Sequence, residues 1–249
     1  ERRARPMDLG PPSPAEAVAA TAALPEHHWI QPIPDGRVLP EGGDPAETVV
    51  ARETIRLAFV AALQHLPPRQ RAVLILRDLL GWSAKETASL LETSVASANS
   101  ALQRARSTLR QHLPARRLEW APSSEPTEEE RAVLQRYMDA TEQADASALA
   151  ALLAEDVRCS MPPVPAWLQG REDVMIAMMQ GLDPEFGRWR LLPTWANRQP
   201  AAACYLRRAG ESEYRAFAID VLRVEDGKVT DITAFSAELF PAFGLPATI

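Results

Sequence analysis

Cysteine and histidine are scarce in this 249-residue chain: Cys159 and Cys204 lie far apart among apolar neighbours, and there are four histidines and no Cys-x-x-Cys pair. That excludes a disulfide-framed scaffold and leaves no zinc-ligand spacing, so both thiols are expected to be reduced core side chains, with no metal and no cofactor. Long apolar runs are missing too. Nothing approaches the roughly 20 residues that span a bilayer, and the opening Glu1-Arg2-Arg3-Ala4-Arg5-Pro6 lacks the apolar stretch of a signal peptide. A cytoplasmic protein without membrane contact is the expectation, and a start on Glu1 rather than Met suggests a piece of a longer chain.

What is present suffices for a packed interior, with 46% hydrophobic and 24% charged residues, enough for one or two domains. The charge is uneven. Residues 47 to 118 hold eleven Lys and Arg against five Asp and Glu, residues 119 to 249 hold 12 against 21, and residues 1 to 46 hold four against seven. A basic middle between acidic flanks points to a polyanion that meets the middle alone, and a solvated helical face would read the same way.

Proline marks the joints, because it removes a backbone donor and interrupts periodic structure. Residues 11 to 46 carry eight prolines and read as a linker, with one apolar island, Trp29-Ile30-Gln31-Pro32-Ile33-Pro34. Such an island exceeds what a spacer needs, so Trp29, Ile30 and Pro32 are expected to dock. A second joint covers residues 119 to 126. The domains are therefore drawn as a linker over 1–46, a helical module over 47–118, a linker over 119–126 and a second domain over 127–249.

The module is helical throughout. Val49, Val50, Ile55, Phe59, Ala62 and Leu63 form one stripe that ends at Leu66-Pro67-Pro68, and Arg69 to Leu80 form a second helix. Ser83-Ala84-Lys85-Glu86 is a capping box opening a short helix to Leu91, and Ser94 can cap a last helix running to Leu109. Only Glu92-Thr93 separates these two, a spacing that suits a helix-turn-helix. With Val95, Ala98, Leu102 and Ala105 inward, Ser97, Asn99, Ser100, Gln103, Arg104 and Arg106 point outward. Asn and Gln can pair with adenine and the arginines that follow can hold phosphates, although the spacing alone fits an ordinary solvated face equally well.

The stretches Leu66-Pro67-Pro68-Arg69-Gln70-Arg71, Gly81 to Ala88 and Val95 to Arg106 together resemble region 4 of bacterial extracytoplasmic-function sigma factors. The resemblance implies a module that reads the upstream (minus 35) promoter element in the major groove and touches the β flap of RNA polymerase. It makes Asn99, Ser100, Gln103 and Arg104 the base readers, with Ser97, Arg106, Arg69 and Arg71 on phosphates. Three positions depart from the family pattern: Thr87 and Ala98 in place of larger apolar residues, and Glu92 in place of a turn glycine, where a left-handed backbone is expected. Arg2 to Pro6 and Asp8 to Pro12 resemble the tail that follows region 2. Region 2 itself, the part that would bind the β′ clamp and melt the promoter, is missing, so the chain as given is not expected to start transcription alone.

From Thr127 the pattern changes. Residues 127 to 142 and about 145 to 153 read as helices, followed by strand-like runs over 157–161, 189–196, 201–207, 214–224 and 229–235, with a helix over 172–180. Asp226-Gly227 suits a tight hairpin turn. Helices and then a mostly antiparallel sheet give an α+β domain. With Ala154-Glu155-Asp156-Val157 and Asp226-Gly227-Lys228-Val229, it resembles the SnoaL-like polyketide-cyclase fold, a cone-shaped barrel. The expected fold is thus multidomain, an all-α helix-turn-helix followed by an α+β cone.

Tyr137, Met161, Trp167, Trp189, Trp195, Tyr205, Asp220, Asp231 and Phe235 are candidates to line the cone. No histidine follows His112 and no paired carboxylates can be argued, so hydrogen-bonded structural carboxylates rather than catalysis are expected. The function that follows is a transcription-initiation factor, not an enzyme, whose acidic second domain regulates the basic module by docking within the chain. The alternatives are a small-molecule sensor or a SnoaL-type isomerase or cyclase fused to a DNA-binding module.

Overall fold

In a computed structural model, residues 3–18, 20–35, 63–79, 82–112 and 127–249 are described. The stripe from Val49 to Ala62, the stop at Gly81 and the joint over 119–126 lie outside them. The chain forms two compact units, one comprising Arg3–Asp35 with Glu125–Ile249 and the other Gly36–Ser124.

In the second unit, α2 (Pro68–Leu74) begins on Pro68, whose missing N–H costs nothing in a first helical turn. It continues as a π-helical turn over Ile75–Leu79 instead of a regular helix. Next come α3 (Ala84–Leu90), whose Ser83 and Glu86 form the expected capping box, and α4 (Val95–His112), where Ser94 Oγ accepts from Ser97 N–H. Leu66, Val73, Leu74, Ala101, Leu102, Ala105 and Leu109 make the core. Val95, expected inside, is 43% exposed, because the first helical turn projects beyond that core.

Glu92 is left-handed (φ 49°). Thr93 N–H donates to Ala88 O and Glu92 N–H to Ser89 O, a Schellman closure that calls for glycine. Thr87 is fully buried with its hydroxyl unpaired among the described residues, so the small polar side chain here leaves a donor unsatisfied. Glu92→Gly is expected to stabilise this unit by about 1 kcal/mol, read as a rise in its urea midpoint.

The other unit contains α5 (Glu128–Glu142), α6 (Ala146–Leu152) and α7 (Arg171–Leu182), with Thr127 and Asp145 capping the first two. Its strands are β1 (Leu153–Ser160), β2 (Trp167–Gln169), β3 (Arg188–Ala196), β4 (Gln199–Arg207), β5 (Arg215–Glu225) and β6 (Lys228–Ser236). They form one sheet in the order β2-β1-β6-β5-β4-β3, parallel only between β1 and β6. The Asp226-Gly227 turn has φ of 50° and 69°, the positive pair a two-residue hairpin needs.

Side-chain alternation divides the sheet. Val157, Cys159, Leu168, Leu191, Ala202, Cys204, Leu222 and Ile232 face inward and pack with Val133, Leu134 and Tyr137 of α5. On the opposite, outer face, Tyr205 packs edge-on against Phe240 of a 3-10 turn, Ala237–Phe243. The free edge β3 carries Arg188, Arg190 and Pro193, and its Leu191 N–H donates to Glu142 Oε1 at 2.7 Å, features that oppose edge-to-edge pairing.

The proline-rich amino-terminal segment is folded onto this sheet unit. Ala4 bridges Trp29, closing residues 4 to 29 into a loop. A short α1 (Ala15–Val18) adds Ala15 and Val18 to the inner core. At the β2 edge, Ser13 N–H donates to Trp167 O (2.7 Å) and Trp167 Nε1 to Gly10 O (2.9 Å). At the opposite edge the segment meets the β3–β4 turn, where Ile33 N–H donates to Asn197 Oδ1 and Asn197 N–H to Ile33 O. The segment is therefore a strap bonded at both edges of the sheet.

Candidate functional site

Helix α4 presents one continuous polar surface. Ser97, Asn99, Ser100, Gln103, Arg104 and Arg106 are all exposed, while Ala98, Leu102 and Ala105 are buried behind them. The small Ala98 and Ala105 let the helix lie close to its own core and leave the polar stripe free. Not every basic residue expected on phosphates is free. Arg106 forms a two-pronged pair with Asp78 (2.9 and 2.7 Å), which raises its pKa through that hydrogen bond. Arg71 donates to Leu63 O and Leu66 O (3.0 and 3.1 Å), capping backbone carbonyls instead. Arg69 is exposed.

The nine residues expected to line the cone divide between the two faces. Met161, Trp189 and Trp195 pack against the inner core with Tyr137. Asp220 is also inward, aligned with Ala202 and Ala234. Trp167, Tyr205, Asp231 and Phe235 are not, because strand alternation turns them to the outer face. Trp167 is held by the strap and Tyr205 OH donates to Pro246 O. Phe235 lies opposite Ile219, and Asp231 pairs with Arg158 (2.8 Å) and Arg223 (3.4 Å).

On the inner face Asp220 Oδ2 accepts from Tyr137 OH (2.9 Å) and Cys204 Sγ (3.3 Å). Burial pushes the Asp220 carboxyl above its ordinary value, partly offset by those two bonds. Tyr137 and Cys204 are pushed up by burial and by the Asp220 charge, and Cys159 to about 12 for the same reasons. Both thiols are thus inert core groups. An acid whose folded pKa is raised binds more protons folded than unfolded between the two values, so its contribution to stability falls as pH rises from about 4 through the folded pKa. Asp220→Asn is expected to remove that decline and to stabilise the domain at pH 7, checked by thermal unfolding from pH 4 to 8.

The strap holds Trp29, Ile30 and Pro32 buried, Trp29 completely. The residues that fasten it were not singled out in the sequence: Asp35 accepts from Arg198 N–H (2.7 Å) and its side chain (3.3 Å), beside buried Asn197. Asn197 and Arg198 are both left-handed (φ 52° and 59°), and this non-glycine turn between two strand-like runs was the available signal.

Residues 56–109 match the family described as Sigma-70, region 4, and residues 134–232 the SnoaL-like domain. The chain is 42% identical over its whole length to the Mycobacterium tuberculosis ECF RNA polymerase sigma factor SigG, and spans 66% of that relative. It is 24% identical, over 80% of its length, to the probable ECF RNA polymerase sigma factor SigI of the same organism, spanning 63% of it. Among solved structures, that of the M. tuberculosis extracytoplasmic function sigma factor SigJ is similar in fold, with TM-score 0.57 and 24% identity over 91% of this chain and 76% of that one. A region 4 helix-turn-helix thus precedes a SnoaL-like α+β domain, and over its whole length the chain is similar to extracytoplasmic-function sigma factors.

Proposed function

We propose that the chain is the promoter-reading and regulatory part of a transcription-initiation factor, acting in the cytoplasm with RNA polymerase, and that it is not an enzyme. The observation that carries this reading is the exposed polar stripe of α4, with Asn99, Ser100, Gln103 and Arg104 free to reach base edges. Arg69 and Ser97 remain the candidates for phosphates, while Arg71 and Arg106 serve the module's own fold. The β flap and, through region 2, the β′ clamp are the proposed polymerase contacts. Titrating the full chain with duplexes that carry single base-pair changes in the upstream element tests the reading. Loss at particular positions is expected, and equal affinity for every sequence overturns it.

We further propose that the acidic domain restrains the basic module within the chain, with attraction between their opposite charges steering the docking and the tether raising their effective concentration. The strap adds a means of control, because Asp35 is held by Arg198 immediately before the second unit begins at Gly36. Asp35→Ala is expected to release this end of the strap and to raise affinity for promoter duplex severalfold. Unchanged affinity removes the strap from the mechanism. A sensor reading is favoured by Asp220, whose Oδ2 takes both hydrogen bonds and leaves Oδ1 for a small ligand.

A further inference from the structure

Asp78 and Arg106 meet beside the polar stripe of the helical module. Arg106 Nε donates to Asp78 Oδ2 at 2.9 Å and its Nη2 donates to Oδ1 at 2.7 Å, so the carboxylate fills one whole edge of the guanidinium. The arginine follows two proposed base readers along α4, because Asn99, Gln103 and Arg106 are all exposed and stand at i, i+4 and i+7. In a helix-turn-helix the amino-terminal part of this helix meets base edges, and a cation one turn past Gln103 is placed for the backbone. A phosphate offers an arginine fork the same pair of oxygens that Asp78 offers here.

The fold has little need of the pair. The two side chains are 51% and 31% exposed, and an ion pair so open to water contributes little to stability. Helices α2 and α4 are already joined through Val73, Leu74, Leu102, Ala105 and Leu109. The turn after the π-helical residues has bonds of its own, from Arg77 Nη1 to Trp82 O and from Trp82 N–H to Leu76 O. The placing is also selective. Residues 47 to 118 hold eleven basic side chains and only five acidic ones, yet one of those five lies on Arg106, while among the described residues Arg104 has no carboxylate partner.

We propose that Asp78 stands in for a DNA phosphate: by occupying Arg106 it withholds one backbone contact and so limits the sequence-independent part of the module's affinity for duplex DNA. A phosphate contact strengthens binding to every sequence alike. With one such contact withheld, retention on DNA depends more on the base readers Asn99, Ser100, Gln103 and Arg104. The proposal rests on the promoter-reading function proposed above, and adds to it the residue that sets how much affinity is independent of sequence.

The test uses the full chain with a fluorescein-labelled minus 35 duplex and a duplex of scrambled sequence, followed by anisotropy across a salt series. Asp78→Asn keeps the side chain's shape and removes its charge. It is expected to raise affinity for both duplexes by about threefold to tenfold at low salt and to steepen the salt slope by about one. Asp78→Ser should give the same gain, since the charge is what matters. Arg106→Ala alone should change neither affinity nor slope, because that contact is already withheld. The double variant separates two causes: if Asp78 acts by occupying Arg106, Asp78→Asn adds nothing once Arg106 is gone. An equal gain with and without Arg106 would mean that the carboxylate merely repels DNA, and overturns the proposal. Parental affinity in both Asp78 variants, with circular dichroism showing them folded, overturns it as well. Equal affinity of the parent for the two duplexes would instead sink the promoter-reading proposal, while a gain on Asp78→Asn that still requires Arg106 would leave this one standing.

Discussion

Replacing Trp29 with alanine is expected to cost the sheet unit about 3 to 5 kcal/mol, the usual loss on truncating a fully buried large aromatic. Trp29 has no exposed surface, and its backbone bridges Ala4 where the strap loop closes. Removing it leaves a void where a fully buried side chain stood, while the hydrogen bonds at the two sheet edges remain. The strap should therefore open before the rest of the unit does. Limited proteolysis is expected to cut between residues 4 and 30 while residues 127 to 249 stay intact, and chemical denaturation followed by circular dichroism should show the lower midpoint. A variant as stable and as resistant as the parent would mean that the island merely fills space at the surface. Trp29→Phe, which keeps most of the volume, should recover much of the loss.

Truncating Gln103 and Arg104 together to alanine is expected to weaken binding of the minus 35 duplex about a hundredfold, since each well-placed base contact contributes about 1 to 3 kcal/mol. Both side chains are exposed on the same turn of α4, behind which Leu102 and Ala105 are buried. The double change should leave the fold untouched. It should also flatten discrimination among sequences, which loss of a phosphate contact would not do. Arg106→Ala is the informative contrast. Because Arg106 is held by Asp78, its removal should lower the stability of the module slightly and leave the affinity of the folded module unchanged, and unfolding data separate the two effects.

Much of the fold was legible because capping chemistry and strand alternation are local. Ser83 with Glu86, Thr127 with Glu130 and the Asp226-Gly227 turn all form as their residue types dictate, and five of the strand runs lie within the observed strands or overlap them closely. The three-residue β2 is too short to leave a pattern. The face on which an aromatic lies was less legible. Trp167, Tyr205, Asp231 and Phe235 share composition with inward-facing neighbours, and only the register of pairing puts them outside. Bulges such as those at Phe217 and beyond Arg223 shift that register by a residue.

The polar stripe of α4 was legible because buried and exposed positions follow helical spacing. The competing use of Arg71 and Arg106 was not, since both partners, a backbone carbonyl and Asp78, are brought near only by folding. The strap was the least legible element. Eight prolines describe a linker well, and an isolated Trp-Ile-Gln-Pro-Ile-Pro signals docking without naming the surface. The receiving turn, Asn197-Arg198, lies more than 160 residues away in sequence. Contacts of that separation carry no local periodicity to read.

The central claim is that a promoter-reading module is held in check by the domain fused to it. Its most direct measurement is the affinity of the minus 35 duplex across a salt series for the intact chain and for residues 47 to 118 alone, with circular dichroism showing that the shorter piece is helical. The account predicts that the isolated module binds more tightly, with the steep salt dependence of phosphate contacts, and that the difference narrows as salt screens the opposed charges of the two parts. Equal affinity at every salt concentration, with the module folded, would contradict it.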